Sequence, residues 1–396
     1  MSRISRASWR IVALLMVSSL VLTACGDDDE DTTTGAGGGG QTSDTASIAF
    51  VGPLTGENAN LGLNIRDAMK VAIEEENAAG GTRISLKEFD TQGDPAQAST
   101  LKDRFISDQS IIGIVGPTFS GETKALIPDL VNAGLVMISP SATNKDLPTV
   151  TANNNSFHRI IGDDALQAAG IAEFLSKERP RSVAYVHDNT EYGKPLAEDV
   201  ERLATAKGIT KATSAVVDPK AQDFSSTVNA LENANPSHIF YGGYYAEAGR
   251  FRKQLTDAGV TAVFVSGDGS LDPGFVTAAG AAAAEGSKLS SPSNLALETS
   301  TGALKTFYDS FRRVINKDPG LYSPEGYDAA KMFIQGIKAG NKDRPSLLRY
   351  VEGIGKYEGI SKAIEFEPNG NLKAKVFFVF EVKGGKITPL QNFEVA

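Results

Sequence analysis

The chain has 396 residues, 41% hydrophobic and 22% charged, with 48 acids against 39 bases and a formal net charge of −9. That balance argues against nucleic acid as a partner, because neutralising phosphate takes clustered Lys and Arg. A single cysteine excludes a disulfide within the chain, so the fold must rest on its packed core alone.

The first predicted element is an export segment. Arg3, Arg6 and Arg10 precede an apolar stretch from Ile11 to Leu22, and Thr23, Ala24 and Cys25 follow. A basic start, a short apolar run and small residues at a cleavage point describe a signal peptide. At about 12 residues the run is too short for a bilayer core that needs roughly 20. With its cysteine the segment resembles a bacterial lipoprotein signal. That resemblance implies loss of residues 1–24 and a diacylglycerol on the Cys25 thiol, anchoring the protein outside the cytoplasm. The alternative is an ordinary signal peptide beside a structural cysteine. Removing residues 1–24 takes away three arginines and no acids, moving the charge from −9 to −12. Residues 25–46 carry Asp27-Asp28-Asp29-Glu30-Asp31 and then Gly35 to Gly40 broken by one alanine. Such a segment cannot bury apolar area and reads as a flexible tether. Its glycines are not a phosphate loop, having no strand before them and no Gly-Lys-Ser/Thr after. No second apolar stretch of about 20 residues follows, which argues against a permease, channel or transmembrane receptor.

From Ser47 short β-branched runs alternate with helical patterns. Strands are predicted at Ser47–Val51, Arg83–Asp90, Ile111–Val115 and Val136–Ser139, and helices at Leu61–Ala78, Ala96–Ser107 and Glu122–Ala133. The alternation restarts with helices at Ala165–Lys177, Leu196–Lys207, Phe224–Ala234 and Glu247–Ala258. Strands fall at Ser182–His187, Thr210–Val217, Ile239–Tyr241 and Ala262–Val265, and the alanine-rich Ala278–Ala284 ends the unit. Two such units predict two similar α/β lobes, each a parallel sheet covered on both faces. Helices at Ala303–Ile315, Pro324–Ala339 and Leu347–Gly353 and strands near Ile364–Phe366 and Lys375–Val382 follow. They are too few for a third domain, so a return to the first lobe is expected. The basic cluster Arg250, Arg252 and Lys253 reads as the solvated face of a helix.

In open α/β sheets ligands bind beyond the carboxyl ends of strands. After Ile111–Val115 comes Gly116-Pro117-Thr118-Phe119-Ser120-Gly121, running into a helix. There Ser120 offers a hydroxyl to a carboxylate and the first helical turn offers free N–H groups. The competing reading is a serine that caps only its own helix. After Val136–Ser139 comes Pro140-Ser141-Ala142-Thr143, again small and hydroxylated. The second unit supplies Asp188 and Tyr192-Gly193, then Gly242-Gly243-Tyr244, then Gly267-Asp268-Gly269. Asp268 suits a ligand ammonium through charge-assisted hydrogen bonds, or merely turns the chain. Catalysis and metal binding find little support. His158, His187 and His238 lack ligand spacing, no Gly-x-Ser-x-Gly elbow is present, and a paired-carboxylate site stays open.

The stretches Val51-Gly52-Pro53-Leu54-Thr55-Gly56, Asp94-Pro95-Ala96-Gln97-Ala98, Gly134 to Thr143, His187-Asp188, Tyr192-Gly193 and Tyr241-Gly242-Gly243-Tyr244 occur in an order that resembles the leucine/isoleucine/valine-binding proteins of ABC importers. The likeness runs from about Ser47 to the C-terminus. It implies the type I periplasmic-binding-protein fold, α/β with two Rossmann-like lobes and a three-segment hinge. Lobe 1 would be 47–163 plus 293–375, and lobe 2 would be 164–292 plus 376–396. By the same resemblance Ser120 takes the ligand α-carboxylate and Thr143 contacts the carboxylate and ammonium end. Ser141 falls where the family uses mainly a backbone carbonyl, Ala142 beside it is counted among the ligand-binding residues, and Tyr192 and Tyr244 close over the ligand. Asp268 takes the ammonium, and Tyr322 and Leu61 line the side-chain pocket. Leu61 departs from the aromatic of well-known members. Gly93 and Phe119 stand where some members have a disulfide. The resemblance further implies a monomer that needs no cofactor or metal, delivers an amino acid to ABC permease subunits and touches the membrane only through its lipid. Rival readings are the same scaffold holding an amide, a urea-like compound or an aromatic acid, a sensory lipoprotein, or an enzyme.

Overall fold

In the computed structural model, which describes residues 46–390 apart from 154 and 296, the alternation resolves into two sheets of matching strand order. The signal peptide, Cys25 and the tether up to residue 45 lie outside the described residues. The first sheet runs through β1 (Ala46–Gly52), α1 (Ala59–Ala79), β2 (Ile84–Asp90), α2 (Pro95–Ser107), β3 (Ile111–Val115), α3 (Ser120–Asn132), β4 (Val136–Ser139) and β5 (Phe157–Arg159). Its five strands are all parallel, in the order β2-β1-β3-β4-β5. β1, β3 and β4 are buried at every residue, as a sheet covered on both faces requires. Asp94 starts α2 by accepting the Ala96 N–H at 2.8 Å, with Pro95 in the first turn where its missing N–H costs nothing.

The chain then crosses to the second sheet through α4 (Asp164–Glu178). There follow β6 (Val183–His187), α5 (Gly193–Ala206), β7 (Lys211–Val216), α6 (Ser225–Ala234), β8 (His238–Gly242), α7 (Tyr245–Asp257) and β9 (Val263–Ser266), then α8 (Pro273–Ala279), α9 (Ala281–Ala284) and β10 (Lys288–Ser291). The order β7-β6-β8-β9-β10 repeats that of the first sheet, strand for strand and all parallel. The alanine-rich segment therefore does not end this unit, since β10 continues the sheet beyond it.

A second crossing leads to α10 (Gly302–Ile315), α11 (Ser323–Lys338) and α12 (Arg344–Glu352), which return to the first lobe. α11 lies along α1 and α12 packs on β3 and β4. The Arg344 guanidinium donates to the carbonyls of Phe105, Ile106, Asp108 and Ile111, fastening α12 to that lobe. The short pair β11 (Tyr357–Glu358) and β12 (Ala363–Ile364) precedes a third crossing. Then β13 (Phe378–Lys383) and β14 (Lys386–Pro389) join the second sheet antiparallel beside β10. The last strands thus belong to the second lobe, while the three helices before them belong to the first.

The basic cluster on α7 is not merely solvated. Arg250 pairs with Glu57 at 2.9 Å, Arg252 donates to the carbonyls of Ala262 and Ala283, and only Lys253 pairs within its own helix.

Candidate functional site

In both lobes the strand order reverses between the first strand and the third, β1 and β3 or β6 and β8, the topological switch point where doubly wound folds bind ligands. The loops that follow β3, β4, β6, β8 and β9 meet there around a small cleft. Its lining is Leu61, Thr118, Phe119, Ser120, Ser141, Thr143, Tyr192, Tyr244, Asp268, Gly269 and Tyr322.

At one end stands the start of α3. Phe119, not Ser120, is the residue before the helix, and Glu122 accepts the Phe119 N–H at 2.8 Å. The Ser120 hydroxyl is therefore not consumed by its own helix. It accepts the Asn144 N–H at 3.1 Å, which leaves its proton to donate into the cleft. Beside it the Thr118 hydroxyl is buried without a hydrogen-bond partner among the described residues. These hydroxyls and the first-turn N–H groups form an anion-accepting end.

Asp268 lines the same cleft from the second lobe. It opens a single 3₁₀ turn, yet its carboxylate does more than turn the chain. Tyr192 Oη donates to Oδ1 at 2.7 Å, Gln167 Nε2 at 2.9 Å and Gly269 N at 3.1 Å, while Tyr322 Oη donates to Oδ2 at 2.6 Å. Burial pushes the Asp268 carboxyl up from the usual carboxylate range, and the donors from Tyr322, Tyr192 and Gln167 pull it back. Burial also holds the Tyr192, Tyr244 and Tyr322 hydroxyls well above their ordinary value, so all three stay neutral.

Aromatic rings form the apolar wall of the cleft. Tyr244 packs on Phe119 with ring centroids 4.4 Å apart and on Tyr192 at 5.2 Å, with Leu61 completing the apolar lining. Gly93 and Phe119 are in contact: a Cβ at Gly93 would lie 2.9 Å from the Phe119 ring, and its φ of +76° suits glycine.

Of the residues picked from sequence, Leu61, Ser120, Ser141, Thr143, Tyr192, Tyr244, Asp268 and Tyr322 share this cleft. The Ser141 hydroxyl is turned away, donating to the Thr118 carbonyl at 2.6 Å. Ala142 does not line the cleft. Its side chain sits in the first-lobe core, its N–H donates to Ser139 Oγ and its carbonyl accepts from Arg159. Tyr322 does not simply wall the pocket, because its hydroxyl is spent on Asp268. Sequence reasoning missed Thr118, Phe119, Asp164 and Gln167. Phe119 and Thr118 flank Ser120 in the same loop, a signal that was available. Asp164 opens α4 like any acid at a helix start, so nothing local marked it.

A profile of the family described as Periplasmic binding protein matches residues 45–386. The Leu/Ile/Val-binding protein homolog 3 of Brucella melitensis is 29% identical over 351 residues, covering 87% of this chain and 93% of that protein. The branched-chain amino acid transporter substrate binding protein LivJ from Streptococcus pneumoniae, solved in complex with isoleucine, superimposes with a TM-score of 0.80 at 24% identity. That match covers 87% of this chain and 99% of LivJ. A solute binding protein of an ABC transporter from R. palustris, solved with benzoate, reaches a TM-score of 0.78 at 19% identity, covering 89% and 98% of the two chains.

Proposed function

The chain belongs to the periplasmic binding protein family, and from that premise we propose that it is the extracytoplasmic receptor of an ABC importer, capturing a branched-chain amino acid between its lobes. One observation carries the reading: a cleft with hydroxyl and N–H donors at Ser120 and a buried, cation-free carboxylate at Asp268 complements both charges of a zwitterion. Ser120 and Thr143 would hold the carboxylate, Asp268 the ammonium, and Leu61, Phe119 and Tyr244 the apolar side chain. A micromolar dissociation constant corresponds to about 8 kcal/mol, within reach of a ligand held at both charges and along its side chain.

The lobes are proposed as 47–163 plus 293–375 and 164–292 plus 376–396. Cys25 would carry the lipid, and a separate permease would take the solute from a monomeric receptor without turnover. Radiolabelled palmitate incorporated into the wild type but not into Cys25→Ser would support the anchor. The direct test of ligand class is mass spectrometry of the solute released on denaturing the purified protein, followed by calorimetry with leucine, isoleucine, valine and benzoate. Binding of benzoate without any amino acid would replace this reading with an aromatic-acid receptor, which the Phe119 and Tyr244 wall would suit.

A further inference from the structure

We propose that Asp164, one layer behind the cleft, is a second acidic determinant of the ammonium end: with Asp268 it shares one proton, which leaves when a ligand ammonium arrives, so that the site selects amines over amine-free carboxylates. The inference rests on the amino-acid reading above.

Both carboxylates are 1% exposed, and one amide joins them. Gln167 Nε2 lies 3.0 Å from Asp164 Oδ1 and 2.9 Å from Asp268 Oδ1, while Gln167 Oε1 accepts the Asp268 N–H at 3.0 Å. Asp164 Oδ2 is buried without a hydrogen bond of good geometry among the described residues, and the nearby Thr143 hydroxyl only partly offsets the effect of burial on this carboxyl. The groups facing the pair come from several elements. They are Arg159 on β5, Asp163 before α4, Tyr192 before α5, Tyr244 before α7 and Tyr322 before α11. Of these only Arg159 is cationic, and its charge is divided between Asp163 and Asp164, which offsets part of the burial cost at Asp164. Arg159 lies 3.6 Å from Asp163 and donates to the carbonyls of Ala142 and Asn144 and to Asn371.

Two buried carboxylates joined by one amide disfavour each other's ionisation, and on this proposal the pair titrates as a unit and retains a proton. Burial first and Asp268 second drive Asp164 in that direction. An ammonium at Asp268 supplies the missing positive charge. The O–H bond of the acid then breaks, its proton passes to solvent, and the ligand keeps all three of its own N–H bonds. An amine-free carboxylate brings no such charge and leaves the proton in place. Asp164 acts through Gln167 and Asp268, as a positioning residue.

The test is calorimetry of leucine binding in buffers of different ionisation enthalpy, on wild type and Asp164→Asn, with the amine-free analogue of leucine as comparator. Release of about one proton by wild type, an affinity rising up to tenfold per pH unit while the pair stays protonated, and loss of both in Asp164→Asn is the expected result. Glu122, Asp188 and Glu247 also have raised pKa values, so the difference between wild type and variant carries the assignment. Leucine binding with buffer-independent enthalpy overturns the inference and leaves the amino-acid reading standing. Binding of the analogue with no leucine binding overturns both. Should Asp164→Asn not fold, carbon-13 NMR of aspartate-labelled wild type decides. One carboxyl carbon must pass from the acid to the ionised form on adding leucine, and no such change overturns the inference.

Discussion

Among the described residues Asp268 receives four hydrogen bonds and touches no positive charge. Its neighbours are neutral donors, which solvate a carboxylate without cancelling it, so the remaining attraction is available to a ligand cation. Asp268→Asn keeps the shape and removes that attraction. Leucine affinity should fall by about 100-fold or more, because truncating one side of a buried charge pair costs roughly 3–5 kcal/mol. The urea midpoint should hold or rise, since a neutral amide is cheaper to bury than an ionised carboxylate. Calorimetry and urea titration on the same preparation check both halves. The cleft residues were legible in sequence wherever they directly follow a strand, because position beyond a strand end is itself a functional signal. Asp164 and Gln167 were not, because their importance comes from a contact 101 positions away in the chain. Ala142 was included because the resemblance brought its loop along, although its side chain faces the core.

At the scale of elements, the two lobes repeat one device. β3 leads into α3 and β8 into α7. Each helix is preceded by an aromatic residue, Phe119 or Tyr244, whose N–H is taken by a buried glutamate three residues on, Glu122 or Glu247. The carboxylate side chain fixes the helix start and thereby aims the aromatic ring at the cleft. Burial raises Glu122 from 4.5 to about 7, and burial with Asp188 raises Glu247 as well. Between about pH 4.5 and 7 the folded chain therefore keeps a proton at Glu122 that the unfolded chain has lost. Stability is full below that window and declines as pH rises through it, by at most about 3 kcal/mol for Glu122 at about 1.4 kcal/mol per pKa unit. In Glu122→Gln, which mimics the protonated acid, urea midpoints measured across this range should decline less. The second-lobe helix is also held by the first lobe. Asn58 Oδ1 accepts the Ala246 N–H at 3.1 Å and Asn58 Nδ2 donates to Glu247 Oε2 at 3.3 Å. Asn58→Ala should quicken leucine release several-fold in stopped flow, as loss of two bonds worth about 1 kcal/mol each implies. The long helices and buried strands were readable from periodicity. β5 and β10 were not: Phe157-His158-Arg159 and Lys288-Leu289-Ser290-Ser291 are short, rich in polar residues and held in place by the strands beside them.

For the whole molecule, the lobes meet on both sides of the cleft. Glu57 with Arg250 and Asn60 with Asp272 lie on one side, and Lys124 with Glu191 and Lys145 with Asp199 on the other. Exposed pairs such as Lys124 with Glu191 contribute about 0–1 kcal/mol each and weaken with salt. They steer the lobes into register but supply too little to hold them shut. The asymmetry sits in the cleft, where Asp268 of the second lobe and Tyr322 of the first are joined at 2.6 Å. A ligand that bridges the two lobes there adds contacts present only when they are closed, and that difference is what shifts a two-state equilibrium. Closure should therefore depend on leucine far more than on ionic strength. The single native cysteine makes this testable without interference. In a Cys25→Ser background, a dye pair at Lys124→Cys and Glu191→Cys reports the separation across the mouth of the cleft, in a variant that also removes one of the steering pairs. Energy transfer should rise to a plateau on leucine addition, at nearly the same plateau in low and high salt. A signal that is high without ligand and collapses with salt would show that surface charge, not the solute, governs closure.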